Sequence, residues 1–98
     1  MYGLVRIANS TNYTASGKVE YEHTFCRDDD YTVTPNTIWS ASRRGLCLLT
    51  KISALLDTPS GKIQATPYGS HFKIGTTYSQ FAIIQMSANS FRVTRVTD

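Results

Sequence analysis

The side chains best equipped for chemistry in this 98-residue chain lie in two short segments, each bordered by a cysteine. Cys26 runs into Arg27-Asp28-Asp29-Asp30-Tyr31, and Cys47 closes Trp39-Ser40-Ala41-Ser42-Arg43-Arg44-Gly45-Leu46. A disulfide requires its Cα atoms to lie about 4.4–6.8 Å apart. A bond between Cys26 and Cys47 would therefore gather an acidic loop and an aromatic, basic loop at one end of the molecule. Trp39, Arg43 and Arg44 then offer a flat apolar ring and planar cations, which suit a sugar face, a choline head group or a phosphate. The competing use of a lone tryptophan is as a core anchor, and Arg43 and Arg44 can equally be solvated.

Asp28, Asp29 and Asp30 put three carboxylates side by side, and hard cations such as calcium take oxygen ligands. Consecutive side chains on a turn point in different directions, and no EF-hand spacing follows. A solvated acidic turn is thus favoured over calcium at Asp28 and Asp30, and no other cofactor is expected. Exposed pairing of these acids with Arg43 and Arg44 is worth at most about 1 kcal/mol. Two cysteines and two histidines lack the close paired spacing of a structural zinc site.

His23 belongs to the inward face of a strand, and His71 sits in the loop Tyr68-Gly69-Ser70-His71-Phe72. Neither has a serine or cysteine in a nucleophile context nearby. Glu20 and Glu22 face solvent with no cleft to work in. The expectation is a protein that binds rather than an enzyme. Tyr2, Tyr13, Tyr31, Tyr68 and Tyr78 lie in or beside turns rich in Ser, Thr and Asn, the usual chemistry of a polar-ligand face. Asn9-Ser10-Thr11 and Asn12-Tyr13-Thr14 match the glycosylation acceptor pattern. That tripeptide is common by chance, so a plain polar turn is preferred.

The elements that must position these groups are strands. Thirteen threonines, ten serines and six tyrosines, in short alternating runs separated by turn residues, argue for an all-β chain. Val5 and Ile7 share one face of a first strand, and Val19, Tyr21, His23 and Phe25 share one face of a second. Tyr31 to Thr34 and Ile38 to Ala41 are short strands on either side of Pro35-Asn36. The run from Leu46 to Leu56 reads as a strand, although its leucine spacing also fits a helix. Lys62 to Thr66 follows a Pro-Ser-Gly turn, and Gln80 to Met86 with Phe91 to Val96 forms a second hairpin. The fold class is therefore a single-domain antiparallel β-sandwich of about seven to eight short strands, covering residues 1–98. Unbroken alternation places Cys26 and Cys47 on outward faces, making their bridge peripheral. It also turns Leu49 and Leu55 outward with Lys51, where a homodimer would bury them.

A hydrophobic fraction of 41% and a charged fraction of 17% describe a globular domain rather than a disordered chain. The net charge of +3 attracts anionic partners weakly, and without a basic stripe nucleic acid is not an expected partner. No run approaches the ~20 apolar residues that cross a bilayer, and the N-terminus lacks the features of a secretory signal. The compartment then follows the cysteines: secreted or cell-surface if the bond forms, cytoplasmic if it does not.

Three stretches carry a family resemblance: Val5-Arg6-Ile7-Ala8-Asn9-Ser10-Thr11, Pro35-Asn36-Thr37-Ile38-Trp39-Ser40-Ala41, and Arg44-Gly45-Leu46-Cys47. In rhythm they resemble small β-sandwich haemagglutinins and lectins of slime moulds and fungi, and the outline is also similar to sandwich cytolysins of the aegerolysin and actinoporin type. The chain is shorter than those cytolysins and lacks their dense tryptophan and tyrosine cluster. The resemblance implies a non-enzymatic module that binds glycans or glycoproteins. The expected ligand set is Trp39, Arg43, Arg44, Asp28, Asp29, Asp30, Tyr31, Tyr68 and His71. The alternatives are a lipid head-group or membrane-surface binder, in which basic and aromatic loops meet anionic or choline groups, and a protein-interaction or inhibitor domain.

Overall fold

Alternating side chains oblige each strand to offer one face to a core. A computed structural model describing residues 2–22, 25–42, 44–71 and 74–97 shows how those faces are met. His23 and Arg43 lie outside the described residues. The described residues form ten strands and no helix: β1 (Arg6–Asn9), β2 (Thr14–Tyr21), β3 (Asp29–Val33), β4 (Ile38–Ser40), β5 (Leu49–Ile52), β6 (Leu55–Thr58), β7 (Gly61–Gln64), β8 (Tyr68–Gly69), β9 (Gln80–Ser87) and β10 (Ser90–Arg95). The all-β expectation holds. One sheet runs β10-β9-β1-β4, and the other runs β7-β6-β2-β5-β8 with β3 on the remaining edge of β2.

Pairing is not antiparallel throughout. β1 lies parallel to β9, with Arg6 opposite Gln80 and Asn9 opposite Ile83. No hairpin can join strands so distant in sequence, so their direction is set by packing rather than by a turn. Both hairpins expected from turn chemistry are present, β6 with β7 and β9 with β10.

Of the strands beyond those expected, one is the two-residue β8 and the other comes from the Leu46 to Leu56 run, which is two strands and not one. β2 pairs with β5 along Val19–Tyr21 and with β6 along Thr14–Ser16, on the same edge. Between them the chain kinks at Ser53-Ala54: Ser53 N donates to Lys18 O at 3.0 Å, and Ala54 O accepts from Ala65 N at 2.9 Å. Gly17 permits this approach, because a Cβ there would collide with the Ser53 carbonyl. A register shift where Tyr21 meets Leu49 reverses the alternation, as β-bulges do. Leu49 is thereby fully buried and Leu55 half-buried. The exposed leucine pair that motivated a homodimer is not formed.

Val5, Ile7, Phe81, Ile83, Phe91 and Val93 from one sheet join Val19, Tyr31, Ile52 and Leu56 from the other in one core. The sheets meet along a seam where Thr66 N donates to Phe91 O and Val93 N donates to Thr66 O, both at 2.9 Å. At the opposite side Asn9, only 1% exposed, fastens the turns together. Its Nδ2 donates to the carbonyls of Tyr13 (2.8 Å), Val33 (3.1 Å) and Thr34 (3.2 Å), and its Oδ1 accepts from Thr11 N and Oγ1. Buried and occupied in this way, Asn9 is a structural staple and not a glycan acceptor.

Candidate functional site

β2 ends sooner than its pattern suggests. Continued alternation would carry it to Thr24 with Phe25 facing inward, yet it stops at Tyr21. There the Tyr21 amide turns to the Asp28 carboxylate at 3.4 Å, and Glu22 N donates to Leu48 O at 2.9 Å. Phe25 is 89% exposed rather than inward. Cys26 and Cys47 are disulfide-bonded with Cα atoms 5.9 Å apart. Neither lies in a strand, so strand parity does not govern them; both are half-buried against the edge of the core.

The acidic triplet is divided by the same logic. β3 begins at Asp29, so Asp29, Tyr31 and Val33 face inward while Asp30 and Thr32 face out. Asp28 caps the Tyr21 amide, Asp29 Oδ2 accepts from the Tyr21 hydroxyl at 2.8 Å, and Asp30 pairs with Lys18 Nζ at 3.0 Å on the surface. These carboxylates share no focus for a cation, and no other group of three His, Cys, Asp or Glu among the described residues is placed to hold one. Burial, reinforced by the bond to Asp29, pushes the Tyr21 hydroxyl well above its ordinary pKa, so it stays a donor and fixes the orientation of the carboxylate. The hydrogen bond to Asp30 raises the Lys18 ammonium.

Arg44 supplies a cation that sequence reasoning left on the surface. It is 6% exposed. Its Nη2 donates to Thr77 O at 2.7 Å and Tyr78 O at 3.2 Å, and its guanidinium lies over the Tyr2 ring, 5.4 Å from the centroid. With Tyr21, Phe25, Cys26, Arg27, Asp29, Ser42 and Cys47 it lines a cleft of about 320 Å³. The disulfide forms one wall, and inward-facing Tyr21 and Asp29 show that the cleft opens at the end of the core.

Three of the expected ligand residues thus meet the bridge, since Asp28, Asp29 and Arg44 are all at this end. Trp39 is not with them. It sits opposite Ile7 on β4, half-buried, with its ring 5.3 Å from that of Tyr31, which is the core-anchor use. Tyr31 is itself buried, donating its hydroxyl to Ser53 O at 2.5 Å; desolvation pushes its pKa well up. Tyr68 and His71 line a second groove. The register Tyr68, Ile52, Val19, Asp29 places it three strand spacings, about 14 Å, from the cleft. Tyr21, Arg27, Ser42 and Phe25 were missed as site residues. The early end of β2 creates their positions, and the only sequence signal was an Asp-rich turn able to cap it.

No known protein family, characterised protein or solved structure matches this chain.

Proposed function

We propose that this chain is a non-enzymatic carbohydrate-binding module of lectin type, holding a polar glycan in the cleft beside the Cys26–Cys47 bridge. One observation carries the reading: the Asp29 carboxylate, held by the Tyr21 hydroxyl, opens into a cleft with Arg27, Arg44 and an exposed Phe25 ring. Vicinal sugar hydroxyls donate to a fixed carboxylate and accept from guanidinium, and the C–H face of a pyranose packs on an aromatic ring. The bridge reduces the loop ordering that would otherwise oppose binding. The two sheets are read as a sandwich carrying this cleft at one end, and the disulfide suits a secreted or cell-surface protein.

A glycan array followed by calorimetry on the hits tests this. Asp29→Asn preserves shape and removes charge, and is expected to weaken binding by at least about tenfold, the value of one charge-assisted hydrogen bond. Failure of the parent protein to bind any glycan would sink the proposal.

Phe25 and Leu46, 89% and 74% exposed on loops joined by the disulfide, favour a second reading in which this tip contacts a lipid surface beside Arg27. Co-sedimentation with vesicles of varied head group discriminates the two. No binding to any composition at low salt removes the lipid reading.

A further inference from the structure

Charge in this protein is segregated along the chain. Five of its seven acidic residues fall between Glu20 and Asp30, whereas Thr58 to Thr97 contains Lys62, His71, Lys73, Arg92 and Arg95 with no Asp or Glu at all. The topology turns that one-sided stretch into a surface feature. β8 is one edge of its sheet, β10 is the edge of the other, and the Thr66 bridge holds them side by side. Their seam is a groove of about 400 Å³.

Its chemistry is specific. Arg92 and Arg95 rise from β10, Tyr68 from β8, and Tyr78 and His71 from the connection leading to β9. The Arg95 guanidinium lies flat on the Tyr78 ring, 3.5 Å from its centroid. Stacking of that kind holds the guanidinium plane while its N–H edges remain directed outward for the paired oxygens of an oxyanion. No carboxylate lines the groove among the described residues, so the arginines face no internal competitor there. Tyr78 and Thr94 add hydroxyls, and His71 adds an imidazole.

We infer that this seam is a second binding site, separate from the disulfide cleft and independent of its ligand, which takes the sulfate or carboxylate group of an acidic saccharide. A nucleic acid is disfavoured on geometry. Single strands are held by stacking bases on open aromatic faces, but Tyr78 is covered by Arg95, and Tyr68 is packed against Phe81 with ring centroids 4.8 Å apart. What the groove presents is oxyanion donors among hydroxyls, the complement of a charged sugar.

The test is calorimetry of the full chain with a sulfated hexasaccharide, its desulfated counterpart and a single-stranded oligonucleotide of equal charge, at low and high salt. The sulfated sugar is expected to bind, more weakly at high salt, and the desulfated one to bind at least about tenfold more weakly. Arg92→Ala and Arg95→Ala should each cost about tenfold or more, and Arg95→Lys should rescue only part because the planar fork is gone. Lys62→Ala removes the same charge from exposed β7, outside the groove, and should cost less than about twofold. Thermal midpoints of all variants establish that they are folded. The proposal is overturned by no binding of the sulfated sugar, by an equal loss in Lys62→Ala, or by an oligonucleotide that binds as tightly and responds to the same substitutions.

Discussion

At the scale of single residues, two buried polar side chains do more than any exposed one to define the molecule. Asn9 satisfies three carbonyls and two donors, and Asn9→Ala should cost about 3 kcal/mol in denaturant unfolding because five hydrogen bonds at a buried position are lost together. Tyr31 contributes through its hydroxyl and through its protonation. A phenol whose pKa is raised in the folded state supports that state at every pH below its unfolded value of about 10. As pH climbs past this point the unfolded chain releases a proton that the folded one retains, and stability falls. The unfolding free energy should therefore drop above pH 10 at up to about 1.4 kcal/mol per pH unit for this buried tyrosine. Tyr31→Phe should flatten that slope while costing about 1–2 kcal/mol at pH 7 for the stranded Ser53 carbonyl. Chemical denaturation across the alkaline range measures both. Sequence alternation correctly put Tyr21 inward, but it could not show that Asp29, three-dimensionally its partner, would turn inward as well.

At the scale of elements, the decisive event is the bending of one apolar run around β2. A local pattern reports which residues are apolar, and a kink at Ser53-Ala54 or a bulge at Leu49 depends on what the neighbouring strand allows. Gly17 is the neighbour that allows the kink. Gly17→Ala should destabilise by more than about 2 kcal/mol, since the backbone of Ser53 would have to move. Gly69→Ala, where a Cβ meets nothing, should stay within about 0.5 kcal/mol. Paired thermal melts make the comparison. The disulfide is the other element-level device. Its partners are 21 residues apart, and Cys26→Ser with Cys47→Ser should lose about 3 kcal/mol in the chain-entropy account. If the cleft is the glycan site, that double variant should also lose glycan affinity while its far-ultraviolet spectrum persists.

At the scale of the whole molecule, the two proposed binding regions coincide with two charge regions. The acidic β2–β3 edge adjoins the disulfide cleft, and the acid-free segment borders the β8–β10 seam. Thr77-Tyr78 lies between them: its carbonyls accept from Arg44 while the Tyr78 ring carries Arg95. Amide exchange should separate them: a sulfated saccharide should protect Tyr68 to His71 and Arg92 to Arg95, and a neutral glycan Phe25 to Asp29. Protection of one set by both ligands would mean a single site. The groove was half legible in sequence, since Tyr68 and His71 stood out as loop residues. Arg92 and Arg95 did not, because their shared groove is created by an interaction between distant strands.

What the sequence determined by itself was everything encoded at short range: the all-β class, both hairpins, and the inward faces of β1 and β2 as far as Tyr21. Period-two patterning and turn residues act over a few positions and survive being read locally. Tertiary structure decided the rest. The parallel pairing of β1 with β9, the burial of Leu49 and Arg44, the use of Trp39 against Tyr31 and the parting of the three aspartates all depend on which surface arrives from elsewhere in the chain. The cysteines stand between the two: their types suggested a bond, but their half-buried place beside the cleft was set by the early end of β2.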